Sequence, residues 1–209
     1  MGSGFAPHFK GVDNMDIIKN FVTKDKYNIK CPYSMIPSRI VVHNTANDAS
    51  ARNEIAYMIG NNNEVSFHYA VDDKEVVQGI PEDRNAWHSG DGENGKGNRE
   101  GVAIEICYSK SGGDRFTQAE KNAVDLIVDI LKRYGWGIDR VTKHQDYNGK
   151  YCPHRTLDAG WDRFIKMIEA KMNNKLHKVQ VGAFANRANA ERLCNELKSK
   201  GYSAYIKTE

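Results

Sequence analysis

The chain has 209 residues, 40% of them hydrophobic, so it can bury the core of one ordinary domain or of one domain with a small appendage. Its net charge of +3 at pH 7 is compatible with an anionic polymer as partner but is too small to indicate nucleic-acid binding. No apolar run approaches the ~20 residues that a membrane span needs.

The N-terminus has no apolar segment typical of a secretory signal peptide, so none is expected. The four cysteines are widely spaced along the chain. Without a signal peptide they are expected to be reduced thiols or metal ligands rather than a disulfide framework.

The first third of the chain predicts strands separated by one helix. Residues 4–36 show no regular pattern and are expected to wrap the domain. Residues 39–45 (RIVVHNT) are continuously β-branched and predict a buried strand. A helix is predicted for residues 51–59, after an N-cap. Residues 65–71 and 75–80 then predict the two strands of a hairpin.

Residues 101–108 (GVAIEICY) predict a strand in which Glu105 lies on the face opposite Ile104 and Ile106. A carboxylate in the middle of an apolar strand is costly to bury unless a cation compensates its charge. We therefore expect a metal ion or a lysine near Glu105, the alternative being a solvent-exposed sheet face. The preceding polar, glycine-rich residues 82–99 are long for a connection, which indicates either a functional loop or a disordered one.

Two amphipathic helices follow in the sequence. Residues 116–134 carry an apolar stripe at helical spacing, with Thr117 and Glu120 placed as a capping box. Residues 141–143 predict a short strand. Residues 158–171 predict the last helix of the main domain.

The hydrophobic pattern changes after a polar break near residue 174. Residues 178–184 alternate like a strand, residues 186–200 predict a helix, and residues 202–206 predict a second strand. One such β-α-β unit of about 33 residues is too small to form its own core. It must dock on the main domain, pair with a copy of itself or belong to a longer parent. The predicted main domain, linker and β-α-β unit comprise residues 1–172, 173–177 and 178–209.

A polar loop read as HQDYNGKYCPH contains His144 and Cys152. Histidine nitrogen and cysteine thiolate are common zinc ligands, and His43, near the end of the first buried strand, is the best third candidate. Three protein ligands leave a fourth position open, as in catalytic zinc sites. One alternative is chance spacing, since the chain has 7 His and 4 Cys. Another is a structural zinc site, for which Asp146 or His154 would supply the fourth ligand.

Several stretches resemble, in the same order, those of zinc-dependent N-acetylmuramoyl-L-alanine amidases related to T7 lysozyme and peptidoglycan recognition proteins. They are RIVVHNT, SFHYAVDD, AWHSGDG, GVAIEICYS and the loop that ends in Cys-Pro-His. The resemblance runs from about residue 39 to residue 161 and is strongest to lytic amidases of Gram-positive bacteria and their phages. It matches the zinc ligands of the family to His43, His144 and Cys152.

The resemblance implies an α/β fold with a mixed central β-sheet flanked by helices and a zinc groove on one side. It implies hydrolysis of the amide bond between N-acetylmuramic acid and L-alanine in peptidoglycan, with one Zn²⁺ per chain. Glu105 matches the carboxylate that activates the hydrolytic water, and Lys150 matches a lysine that stabilises the oxyanion. Relatives closer to T7 lysozyme have a catalytic tyrosine where this chain has Phe67, so that role is assigned to Glu105. For Lys150 the alternative is a solvated loop charge.

The expected partner is the muramyl peptide of peptidoglycan, with no nucleic acid and no membrane span. His68 is included in the predicted substrate groove, although a place in the core or behind the metal ligands is its alternative. A non-catalytic peptidoglycan recognition module of the same fold is the main rival, but the complete ligand set with Glu105 favours an enzyme. The predicted groove residues are Trp87, His88, Asn98, Arg99 and His68.

The tail resembles the first half of a SPOR domain, a module that carries two β-α-β repeats and binds glycan strands. Because one repeat is present, a homodimer that pairs two half-domains would restore the missing partner. We expect the chain to be made in the cytoplasm and to reach the cell wall after release, through phage or prophage lysis or through lysis of a mother cell.

Overall fold

A six-stranded β-sheet forms the centre of the fold. The computed structural model describes residues 16–173, 179–202 and 204–208. The strands are Ile17–Lys19 (β1), Arg39–Asn44 (β2), Tyr69–Val71 (β3), Val76–Gln78 (β4), Gly101–Ile106 (β5) and Val141–Lys143 (β6). Their order is β1-β4-β3-β5-β2-β6, and every neighbouring pair is parallel except β3–β4. The predicted mixed sheet is therefore confirmed.

Helices flank this sheet, as the α/β prediction required. The long helix α4 packs on β3, β5 and α7, while α2 packs on the β3–β4 hairpin. Within the described ranges, no helix has both the length and the apolar character needed to cross a bilayer. The α-helices are Tyr27–Lys30 (α1), Ala51–Gly60 (α2), Lys96–Glu100 (α3), Gly113–Tyr134 (α4), Gln145–Asn148 (α5), His154–Asp158 (α6), Trp161–Met172 (α7) and Arg187–Ser199 (α8).

The N-terminal segment contains a strand that the sequence did not predict. β1 pairs in parallel with β4, with Ile17 opposite Val76. Residues 20–36 then run over the domain with two short helical turns, Lys24–Lys26 and α1. The expectation of an irregular wrapping segment therefore holds only in part, because β1 is defined by a distant pairing and not by its own pattern.

Two lysines of this segment bond to the C-terminal end of α2, Lys26 to its last carbonyls and Lys30 to the loop that follows. Lys26 Nζ donates to Ile59 O at 2.9 Å and to Gly60 O at 3.1 Å. Lys30 is fully buried, and its Nζ donates to Asn61 Oδ1 at 3.0 Å. The last carbonyls of a helix have no partner within it and carry partial negative charge, so cations are favourable there.

The start of α4 differs from the prediction. The helix begins at Gly113, the second of two glycines with positive φ, and its N-cap Gly112 makes no side-chain hydrogen bond. Thr117 lies inside the first turns and its hydroxyl donates to Gly113 O at 3.0 Å. Glu120 is buried and accepts two hydrogen bonds from Arg163 Nη2, at 2.7 and 2.8 Å. The predicted capping box is therefore wrong, because both side chains have other partners.

The chain divides into two compact units, Met1–Asn173 and Asn174–Glu209. In the second unit α8 confirms the predicted helix, and the side chain of its N-cap Asn186 accepts from Ala188 N at 2.9 Å. The two predicted strands are wrong for residues 179–184 and 204–206, which pair with no strand in the described part of the chain. A strand needs a ladder partner, which a single repeat does not supply. Lys178, Ser203 and residues 174–177 of the predicted linker lie outside the described residues.

Candidate metal centre

Three neighbouring strands bring two histidines together. β5 and β6 pair in parallel with opposite edges of β2, so β2 is central at this end of the sheet. His43 is the fifth residue of β2 and is 1% exposed. His144 follows β6 directly, and its backbone N donates to Val42 O at 3.3 Å. Both imidazoles are therefore placed by the sheet rather than by a free loop.

Cys152 is brought to the same point by a closed loop. Gln145 N donates to Cys152 O at 3.0 Å, which ties the two ends of the loop together. Asn44, the residue after His43, accepts from Arg155 N at 2.9 Å and from Thr156 N at 3.2 Å through its Oδ1. The first turn of α6 is thereby fixed to the end of β2. Asn44 was not predicted as a site residue, although a short polar side chain at a strand end was a usable signal.

The three predicted ligands converge in a buried cluster. His43 Nδ1 lies 3.0 Å from His144 Nδ1 and 3.9 Å from Cys152 Sγ. One ligand atom from each residue lies within 4.8 Å of the other two. Tetrahedral zinc with ordinary Zn–N and Zn–S bonds would place such atoms about 3.3–3.6 Å apart. The cluster therefore fits a tetrahedral metal ion with small adjustments.

A fourth protein ligand is not found in the described part of the chain, where the metal-ligand group comprises these three residues alone. Asp146 binds Lys143, accepting from its backbone N at 3.0 Å and from its ammonium. His154 Nε2 lies 3.3 Å from Ser109 O. The structural-site alternative, which required one of these two residues, is not supported.

The protonation states of the three residues suit a metal ion. Burial lowers the pKa of His43 well below its usual value, with further lowering by His88, His144 and Lys150. Burial and then Lys150 lower the pKa of His144 to about 4, so both imidazoles are neutral near pH 7. Burial and then the charge of Glu105 raise the pKa of Cys152 to about 11. The thiolate therefore needs a cation beside it.

Glu105 lies beside this cluster with an unused oxygen. Burial, followed by the charge of Glu54, raises the pKa of Glu105 to about 8. The positive charge of Lys150 lowers this pKa and so opposes part of the rise. The residue keeps some solvent exposure, but its Oε2 is buried and has no hydrogen-bond partner among the described residues. Glu54, on α2, is buried, and its Oε1 has no hydrogen-bond partner within the described ranges; it was not predicted as part of the site. A carboxyl with a pKa near neutrality can both accept and donate a proton.

Lys150 is exposed at the rim of the cluster. Its backbone N donates to Asn148 Oδ1 at 3.0 Å, which shapes the loop before Cys152. Its positive charge lowers the pKa of both histidines of the cluster, of Cys152 and of Glu105, in each case after burial. The charge of its ammonium therefore favours neutral histidines and the ionised forms of Cys152 and Glu105.

Three of the predicted groove residues are buried behind the cluster instead. His68 is fully buried, with Nε2 2.9 Å from Arg84 O and Nδ1 accepting from Ala103 N at 2.9 Å. His88 and Asn98 are 8% and 4% exposed. These three side chains are withdrawn from solvent, and contact with substrate stays a prediction for them.

Trp87 and Arg99 lie together on a half-buried surface. Trp87 Nε1 donates to Ile29 O at 3.1 Å, and its ring meets Tyr33 edge-on with centroids 6.1 Å apart. The guanidinium of Arg99 lies 4.1 Å from the centre of the Tyr33 ring. Tyr33 was not predicted, since its role depends on contacts distant in sequence. An open depression beside this stack is lined by Ser34, Met35, Ile36, Arg99 and Glu100.

Two family profiles match the chain. That of N-acetylmuramoyl-L-alanine amidase (Amidase_2) matches residues 33–155, and that of the SPOR domain matches residues 173–209. The N-acetylmuramoyl-L-alanine amidase CwlA of Bacillus subtilis (strain 168) is 59% identical over 157 residues, which are 75% of this chain and 58% of CwlA. The amidase XlyB of the same organism is 56% identical over 161 residues, 77% of this chain and 51% of XlyB. The chain thus spans between half and three-fifths of the length of these curated relatives.

Solved structures resemble the chain over a similar range. PlyL is 57% identical with a TM-score of 0.72, over 74% of this chain and 97% of PlyL. The PlyG catalytic domain is 54% identical with a TM-score of 0.73, over 79% of this chain and the whole of that domain.

Proposed function

Because the chain belongs to the N-acetylmuramoyl-L-alanine amidase family, we propose that it is a zinc hydrolase of peptidoglycan. The bond cleaved is the amide between the lactyl group of N-acetylmuramic acid and L-alanine. The observation that carries the proposal is the convergence of His43, His144 and Cys152 within 4.8 Å, beside a carboxyl whose Oε2 has no partner. We assign one Zn²⁺ per chain to these three ligands.

The proposed chemistry divides between the ion and two side chains. His43, His144 and Cys152 would hold the Zn²⁺, which would supply Lewis-acid chemistry and would lower the pKa of the reacting water towards ~7. Glu105 takes the proton of the attacking water as the new C–O bond forms. It returns that proton to the nitrogen of L-alanine as the C–N bond breaks. The pKa of Glu105 lies between those of an ordinary carboxyl and an amine, which suits both the uptake of the proton from water and its return to nitrogen.

Lys150 stabilises the negative charge that develops on the carbonyl oxygen. Its ammonium is exposed at the rim, where substrate can reach it, and its field extends over the cluster. A compact, flexible charge of this kind can follow an oxygen as it becomes an oxyanion. Trp87 and Arg99 remain the proposed contacts to the muramyl peptide, because both keep partial exposure.

A peptidoglycan recognition module without catalysis is the second candidate, since exposed groups such as Lys150 also serve binding. Digestion of purified Gram-positive peptidoglycan, with and without a chelator, separates the two. We expect new N-terminal L-alanine without new reducing sugar, abolished by the chelator and restored by Zn²⁺. Firm wall binding with one zinc per chain but no new amine would establish the recognition module. New reducing ends would show that a different bond is cut.

For the tail we propose a SPOR-like half-domain at residues 178–209, joined by a linker at 173–177 to a catalytic domain at 1–172. Its large apolar side chains support pairing with a second copy, since Val179 is 83% and Val181 61% exposed. We propose that the protein acts on the cell wall after its release from the cytoplasm. Light scattering of the full chain at micromolar concentration tests the homodimer, and a monomeric mass would refute it.

A further inference from the structure

His88 contacts the side of His43 that faces away from the cluster. His43 Nδ1 points towards His144 and Cys152, whereas its Nε2 lies 3.0 Å from His88 Nδ1. The rings of His43 and His88 are nearly perpendicular, at 86°. Both residues are buried, so solvent does not compete for this contact.

The direction of this hydrogen bond follows from the chemistry of imidazole. A neutral histidine that binds a metal through Nδ1 carries its proton on Nε2, and that N–H needs an acceptor. His88 Nδ1 is placed to accept it, which requires His88 to carry its own proton on Nε2. The hydroxyl of Ser89 lies 2.9 Å from the same Nδ1 and shares this acceptor. Within the described residues His88 Nε2 is buried and makes no hydrogen bond of ordinary geometry, although the backbone of Gly101 and Gly97 favours a proton on the ring.

Ser89 stands behind the second histidine in a similar way. His144 Nδ1 faces His43, while His144 Nε2 is buried and makes no hydrogen bond of ordinary geometry. The backbone carbonyl of Ser89 favours a proton on the His144 ring. His88 therefore bonds to the outer nitrogen of His43, whereas Ser89 only lies beside the ring of His144.

Asn98 holds this pair of residues in place. Its Oδ1 accepts from His88 N at 2.9 Å and from Ser89 N at 2.8 Å, and its Nδ2 donates to Gly92 O at 3.1 Å. A glycine is required at position 97 for Ser89 to pack this closely, because a Cβ there would lie 2.4 Å from Ser89 Oγ. The turn that carries His88 is thus fixed to α3 and not free to move away from His43.

We propose that His88 is a positioning residue of the metal centre. It accepts the Nε2 proton of His43, fixes the tautomer whose Nδ1 faces the metal, and is itself held by Asn98. This inference rests on the proposed zinc site and gives His88 and Asn98 a task other than contact with substrate.

The test compares two substitutions of similar size in the full-length chain. In His88→Asn the side-chain oxygen takes the place of Nδ1 as acceptor, whereas His88→Leu has no acceptor. Zinc dissociation constants are measured at neutral pH by competition with a chromophoric chelator. We expect His88→Leu to weaken zinc binding by about 10–100-fold and His88→Asn by no more than about threefold. Nitrogen-15 spectra of the zinc-loaded wild type should show the His43 proton on Nε2.

His68→Leu is the matched control, because His68 is a buried histidine that bonds to Arg84 O and Ala103 N and to no ligand of the cluster. It should lower the melting temperature and leave the zinc affinity of the folded protein unchanged. A wild-type chain that binds no zinc would refute the metal centre itself. Wild-type zinc affinity in His88→Leu, equal weakening in both His88 variants, or a His43 proton on Nδ1 would overturn the role of His88 alone.

Discussion

His43 and Glu105 occupy directly opposite positions in the parallel register of β2 and β5. Residues paired in this way project from the same face of a sheet. A proposed metal ligand and the proposed proton carrier are therefore held side by side by backbone hydrogen bonds. Their spacing does not depend on a loop.

Glu105→Gln should separate metal binding from catalysis. The amide keeps the size of the side chain but cannot take up a proton, so we expect one zinc per chain and a loss of amidase activity of about 10²–10⁴-fold. Zinc content and release of N-terminal L-alanine are the two measurements. Glu169→Gln, on the exposed surface of α7, is the control and should keep full activity. Near wild-type activity in Glu105→Gln would disprove the assignment of the base.

The same substitution should stabilise the metal-free protein at alkaline pH. The pKa of Glu105 rises from 4.5 to about 8 on folding, so between these values the folded chain holds a proton that the unfolded chain has lost. The free energy of unfolding therefore falls as pH rises through this window. Glu105→Gln removes this term, and its melting temperature without metal should exceed that of wild type by about 5 °C or more at pH 8.

Below pH 4.5 Glu105 is protonated in both states, and the two proteins should melt together. Differential scanning calorimetry in the presence of a chelator at both pH values makes the comparison. An equal melting temperature at pH 8 would mean that the carboxylate is not penalised in the folded, metal-free chain.

Zinc binding should release at least one proton near pH 7. The thiol of Cys152 is protonated in the metal-free chain, with a pKa of about 11, and must lose its proton to become a ligand. His144, with a pKa of about 4, has no proton to release. Calorimetric titrations in buffers of different ionisation enthalpy count the protons, and Cys152→Ser should lose both the release and tight binding. Binding without proton release would argue against Cys152 as a ligand.

Lys150→Ala should reduce turnover by about 10²–10³-fold while zinc affinity is retained. The reason is that the ammonium stabilises charge on the reacting oxygen without being a ligand. Lys132→Ala, on the exposed side of α4, provides the matched loss of one positive charge. Steady-state rates on a muramyl-peptide substrate are measured for both variants. Equal rates would show that Lys150 is only a solvated loop charge.

The sequence predicted the main elements of the sheet domain because their patterns are local. β2 was visible as a continuous β-branched run, β5 as an alternating strand that contains Glu105, and α4 as an amphipathic stripe. His43, His144 and Cys152 were found through ligand chemistry and family resemblance. The features that were not predicted depend on other parts of the chain. β1 is a strand only because it pairs with β4. Thr117 is not an N-cap because α4 already begins at the preceding glycine pair.

The burial of His88 escaped prediction for a related reason. A Trp-His pair in a polar, glycine-rich loop is typical of a surface that meets a ligand. Burial followed from two contacts that the local sequence does not encode, one with His43 and one with Asn98. The strand predictions for the tail were wrong for the opposite reason. The alternation of apolar residues was clear, but no ladder partner is found in the described part of the chain.

The two lysines at the end of α2 bear on how small a working catalytic fragment can be made. The amidase profile begins at residue 33, which would suggest trimming the chain to that point. Such a fragment would lose β1 together with Lys26 and Lys30. The final carbonyls of α2 would then lack Lys26, and the loop after the helix would lack Lys30. The same helix carries Glu54, whose charge acts on Glu105. The minimal fragment for expression therefore starts before β1, well ahead of the part that sequence comparison recognises.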